Sequence, residues 1–156
     1  MVIALSTVAF ILWNSLQASS GSWAASNAVA ELFAPVLNVM YAVANKVFAL
    51  MGHPGILSYG VFVRKLAHFC EYLLLGAECC CITCVLTGKA ASPYLWADMF
   101  IVLLMGVLDE YLQIFTGRTS SIADVLIDFA GGLTGIVIVL LVAFAVFDRI
   151  ERAKSR

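Results

Sequence analysis

Residues 61–86 read VFVRKLAHFCEYLLLGAECCCITCVL, and the reading of this stretch decides the fold. It is long and apolar enough to cross a membrane, which takes about 20 residues of helix. Yet it carries Arg64, Lys65, His68, Glu71 and Glu78. An ionisable side chain inside a bilayer costs roughly 2.5–3.5 kcal/mol on insertion scales, so such residues mark function by default. Arg64, His68, Glu71, Leu75 and Glu78 are separated by four, three, four and three residues, which places them on one helical face.

The chain around this stretch agrees with a membrane setting. Of its 156 residues, 63% are hydrophobic and 12% charged, against about 25% charged in soluble domains. That length suits one domain, residues 1–156, and the fold class expected is all-α. Specifically, we expect a polytopic membrane helix bundle of four transmembrane helices plus one interfacial or re-entrant helix. The spans are expected at about 1–17, 61–86, 94–115 and 122–147. The first is short and lacks the basic leader of a signal peptide, so it reads as an uncleaved span.

Residues 28–51 differ. Glu31, Asn38 and Asn45 recur every seven positions, Lys46 lies beside them, and Pro35 interrupts the run. A helix lying in the interface, or re-entering it, fits this pattern better than a span. Gly52-His53-Pro54-Gly55 then breaks the helix, so His53 reads as a loop residue.

With a net charge of -1, no basic run and no metal-finger spacing, nucleic acid is not an expected partner. The five cysteines all fall in Cys70–Cys84. Cys81-x-x-Cys84 has redox spacing but no strand-turn-helix context, so they read as small buried hydrophobes, without a disulfide framework. Lys89 and the tail residues Arg149, Arg152, Lys154 and Arg156 lie on one side. The positive-inside rule makes that side cytoplasmic, with both termini on it and the chain in the plasma membrane.

Hairpin topology then brings distant residues together. The second span opens with Arg64, the third ends near Gln113 and Arg118, and the fourth opens near Asp124. All of these lie at the outer membrane face. Asp109 and Gln113 are four apart, as are Asp124 and Asp128, and Gly131-x-x-x-Gly135 continues below as a seam for close helix approach. Arg64, Lys65 and Arg118 suit a phosphate or carboxylate. Glu71, Asp109, Glu110, Asp124 and Asp128 outnumber the local cations, which calls for a bound cation, a protonated carboxyl or a cationic ligand.

His68 and Glu71, three apart, invite a zinc site. A single histidine among carboxylates suits magnesium or calcium better, and no resident metal or cofactor is expected. The plainer reading is that ion pairs fasten helix ends, that Glu78 partners a helix hydroxyl, and that Tyr72 and Gln113 are interfacial.

At these residues the sequence resembles the VanZ-like family of bacterial membrane proteins. The resemblance runs through Arg64-Lys65-x-x-His68-Phe69-x-Glu71-Tyr72, with Gly76 following. It continues in Asp109-Glu110-x-x-Gln113-x-Phe115-x-Gly117-Arg118, and in Asp124-x-x-x-Asp128 with Gly131 and Gly135. The polar Asn14-Ser15-x-Gln17-x-Ser19-Ser20 is similar to the family's Ser/Gln-rich opening. Asp128 departs from the pattern, which often has Asn there. The family takes its name from a teicoplanin-resistance protein, so the resemblance implies a role at the cell envelope against glycopeptides.

The expected function is recognition of an envelope ligand, a lipid-linked wall precursor or a glycopeptide antibiotic, in a charged outer-leaflet pocket. The ligand-binding residues expected are Arg64, Lys65, His68, Glu71, Tyr72, Asp109, Glu110, Gln113, Arg118, Asp124 and Asp128, with none assigned as catalytic. Two alternatives stay open. One is an intramembrane enzyme acting on a phosphorylated or acylated lipid, with His68 or a carboxyl as acid/base. The other is a small proton-coupled transporter. No Ser- or Cys-His nucleophile arrangement is evident.

Overall fold

A computed structural model describes residues 2–16, 31–50, 58–90, 92–116 and 120–154. Within them the chain is all-α: α1 (Val2–Ser15), α2 (Ala34–Leu50), α3 (Tyr59–Thr87), α4 (Leu95–Phe115) and α5 (Ile122–Lys154). The ends of these helices follow local chemistry. Ser58 caps α3 by accepting from the Val61 N–H. Gly88 closes α3 at φ 65°, a left-handed position that suits glycine, and its N–H reaches the Cys84 carbonyl. Ser92 accepts from the Tyr94 N–H just ahead of α4, and Ser121 accepts from the Ala123 N–H at the start of α5.

Among the described residues two helices are long and apolar enough to cross a membrane, α3 and the Ile122–Ile150 part of α5. At 1.5 Å per residue the 14 residues of α1 span about 21 Å, short of a hydrocarbon core of about 30 Å. The 21-residue α4 has the length, but it carries Asp98, Asp109 and Glu110. All three are buried, and the lipid-compatible Phe100, Leu104, Val107 and Tyr111 point outward instead. α5 also runs further than the sequence suggests. Residues 148–154, expected as a tail, continue the helix, and Arg152 pairs with Asp148 one turn back.

The frame is the α3–α5 pair, which makes the most extensive contact in the molecule. Glycines permit it. A Cβ on Gly135 would collide with the Leu73 carbonyl, one on Gly131 with that of Phe69, and one on Gly76 with that of Gly132. The two backbones therefore touch directly, as small residues allow in membrane helices. α3 and α5 run parallel, because Asp124 lies by Lys65 and Ile136 by Cys80. α1 and α4 run antiparallel to α3: Thr7 meets Glu78 and Asn14 meets Glu71, while Asp98 meets Thr83 and Asp109 meets His68.

Ile11, Tyr72, Leu75, Val102 and Met105 form the core where α1, α3 and α4 converge. α2 packs against the beginning of α3, through Leu37 against Val63 and Tyr41 against Tyr59 and Phe62. The five cysteines are free.

Candidate functional site

The start of α3, the end of α4 and the start of α5 meet at one end of the bundle. They line an open cleft with Arg64, Lys65, His68, Glu110, Gln113, Asp124, Ile127 and Asp128. Seven of these eight were expected from sequence, and they come from three helices separated by up to 64 positions in the chain (Arg64 to Asp128).

Each helix supplies its residues by simple periodicity. Lys65 and His68 stand one turn apart on α3, Glu110 and Gln113 one turn apart on α4, and Asp124 and Asp128 one turn apart on α5. Lys65 pairs with Asp124 across the mouth. Asp124 also sits in the first turn of α5, where the helix dipole favours an acid. Glu110 accepts the Ser121 N–H at 2.8 Å, which ties the end of α4 to the entry of α5.

Behind the mouth the cleft becomes acidic and closed. Asp109, Gln113 and Asp128 are each exposed by 1% or less. Gln113 Nε2 donates to Asp109 Oδ2 at 3.1 Å, and Ser15 Oγ donates to the other oxygen of Asp109. His68 Nδ1 lies 3.4 Å from Asp109 Oδ2 and 3.6 Å from Asp128 Oδ1. Among the described residues neither oxygen of Asp128 accepts a hydrogen bond, and the hydroxyl of the fully buried Tyr72 also lacks a partner.

One expected member takes another position. Glu71 does not line the cleft; it accepts from Asn14 Nδ2 at 2.9 Å, on the side of α3 that faces α1. Glu78, seven residues on, accepts from Thr7 on the same helix. The single face expected from sequence is therefore two stripes: Glu71 and Glu78 against α1, His68 and Tyr72 toward α4 and α5. Arg118 lies outside the described residues, as do Gly117, Gln17, Ser19 and Ser20.

Two residues join the site that sequence reasoning did not place there. Asn14 and Ser15 end α1 and turn inward onto Glu71 and Asp109. Their signal was a polar pair closing an apolar helix. Asp98 is buried at the opposite end of α4 and accepts from Thr83 Oγ1 at 2.8 Å. A lone acid after an aromatic belt gave little reason to expect burial.

Apolar exteriors, buried acids and a polar cleft at one bundle end define an all-α helix bundle built inside out relative to a soluble domain. A model of the family described as VanZ/LLP1 matches residues 1–143. The chain belongs to this family and is a membrane protein. Comparison with curated proteins and with solved structures gave no match.

Proposed function

We propose that this protein binds the anionic head group of an amphipathic envelope ligand, a lipid-linked wall precursor, in the cleft at the outer leaflet. In this reading α1, α3, α4 and α5 all cross the plasma membrane, α2 lies in the outer interface, and both termini are cytoplasmic. Lys89 and the basic end of α5 then fall on the cytoplasmic side.

The observation that carries the reading is Arg64. It lines the cleft and makes no ion pair among the described residues, whereas its neighbour Lys65 is committed to Asp124. A guanidinium at a membrane surface is suited to bidentate recognition of phosphate. The head group would sit at the open mouth beside Arg64, and the acyl or prenyl portion would lie along the apolar exterior of α4. Holding the precursor there would withdraw it from a glycopeptide, which connects binding to teicoplanin resistance.

The test is binding of a polyprenyl diphosphate to the full chain in lipid nanodiscs, with a neutral polyprenol as control. Selective binding, weakened by Arg64→Gln by about 1.5–3 kcal/mol, supports the reading. Equal binding of the neutral lipid, or no effect of Arg64→Gln, rejects it. Turnover of the diphosphate in the same assay would favour the enzymatic alternative, for which His68 faces the cleft with Asp109 behind it.

A further inference from the structure

The floor of the cleft has a chemistry of its own, independent of any anion bound above it. His68, Asp109 and Asp128 each offer one donor atom, and these atoms lie within 4.8 Å of one another. They come from α3, α4 and α5, so the three helices must pack before the group exists. His68 Nδ1 lies at ion-pair distance from both acids, 3.4 Å from Asp109 Oδ2 and 3.6 Å from Asp128 Oδ1, and among the described residues neither oxygen of the fully buried Asp128 accepts a hydrogen bond. With the imidazole neutral, donor atoms of all three side chains converge on one point. A buried carboxylate left in this state is strongly unfavourable, and a cation placed between the donors removes the penalty.

The spacing is informative. Two ligands held about 2.0–2.1 Å from a metal ion at a tetrahedral angle lie about 3.4 Å apart. Both His68 pairs are close to that separation.

We propose that His68, Asp109 and Asp128 bind a divalent first-row metal ion, of the zinc or manganese class, at the floor of the cleft. Five carboxylates around one histidine, as expected from sequence, suit magnesium or calcium. Here only two carboxylates meet His68, so one donor in three is nitrogen and the preference moves toward zinc or manganese. Sequence spacing had pointed to Glu71 as the companion of His68, but Glu71 faces α1, and the acids that replace it come from other helices. Asp109 is held in orientation by Gln113 and Ser15, the kind of supporting contact that ligating carboxylates have. His68 and Asp128 also line the open cleft, so an exchangeable coordination position faces the entrance. The competing account is an imidazolium clasped between two carboxylates, which needs no metal.

The experiment uses the full chain, purified in detergent and stripped with a chelator that is then removed. Mn2+ is titrated in while the signal of the free ion is followed by electron paramagnetic resonance, and Zn2+ is then added as competitor. The expected result is one Mn2+ withdrawn per chain and released by Zn2+. Gln113→Leu should weaken binding by about 10–100-fold, as loss of an orienting contact does, and His68→Gln or Asp128→Asn should weaken it further. Absence of saturable binding of either ion, or equal binding in the wild type and both ligand variants, overturns the proposal in favour of the imidazolium. Should the ligand variants not fold, the thermal midpoint of the wild type decides. A rise at one equivalent of Zn2+ supports the site, and no change overturns it.

Discussion

Acids lie at both ends of α3, and the two ends arrange them differently. Toward Gly88 the acids are dispersed. Asp98 accepts from Thr83 and Glu78 from Thr7, so each carboxylate takes one hydroxyl from a neighbouring helix. Toward Ser58 they converge. Asp109 is shared by Ser15, Gln113 and His68, while Asp128 faces His68 with no hydrogen bond. Each dispersed acid is tied through one oxygen to a hydroxyl and keeps its other oxygen, Asp98 Oδ2 or Glu78 Oε2, buried without a hydrogen bond among the described residues. Only the converged acids bring leftover atoms together, both oxygens of Asp128 beside His68 Nδ1, and such a concentration in a low-dielectric interior is where binding is to be sought.

The largest effect expected from this contrast is at Asp109. Replacing it with Leu leaves Ser15, Gln113 and His68 without their common partner, at a cost of about 3–5 kcal/mol if the buried network behaves as a broken ion pair. Thermal unfolding of the purified protein should show it as a large drop in midpoint. Asp98→Asn keeps an oxygen for Thr83 and should change the midpoint little. A loss at Asp98 equal to that at Asp109 would erase the distinction between the two ends.

Next comes the seam that holds both ends in register. A side chain at Gly76 meets the backbone of Gly132, which has no rotamer through which to yield. Gly76→Val should therefore cost about 1–3 kcal/mol or more. It should lower metal and head-group binding together with stability, because it separates α3 from α5 along their length. Normal stability in Gly76→Val would mean that the backbones are not in direct contact.

A smaller change is expected from Thr83→Val, which removes the single hydroxyl serving Asp98. One hydrogen bond to a charged group amounts to about 1.5–3 kcal/mol at most, with the low end expected where water reaches the helix end. Binding at the cleft should not respond. A shift in Mn2+ affinity in this variant would show that the ends are coupled.

The smallest stability effect is assigned to Lys65→Met. Lys65 and Asp124 retain side-chain exposures of 27% and 18%, and partly solvated pairs contribute about 0–1 kcal/mol. Head-group binding should still fall, because a cation leaves the mouth of the cleft. A midpoint drop as large as that of Asp109→Leu would place Lys65 among the structural contacts instead.

Much of this architecture was legible along the chain. The ends of α3 and α4 fall within two residues of the apolar runs at 61–86 and 94–115, while the Ser58 cap of α3 came only with the structure. The glycines of α5 also announced a close helix contact, and their partner proved to be α3. The extension of α5 past Phe147 was less legible, because charged residues end a membrane span without ending a helix. The meeting of Lys65, His68, Gln113, Asp124 and Asp128 followed from hairpin topology, which puts alternate helix ends at one face.

What the sequence determined by itself is the helical class, the membrane setting and the set of side chains gathered at one bundle end. These depend on apolar run length, caps and 3.6-residue periodicity, all properties of single segments. What only the tertiary structure decided is the pairing: Glu71 with Asn14, Glu110 with the Ser121 N–H, Asp98 with Thr83, and Asp128 left with unpartnered oxygens beside His68. Periodicity fixes the direction of a side chain relative to its own helix axis. Which neighbour it then meets depends on how each helix is rotated against the others, and that rotation is set by the glycine contacts between α3 and α5 and by the way α1 and α4 pack against them.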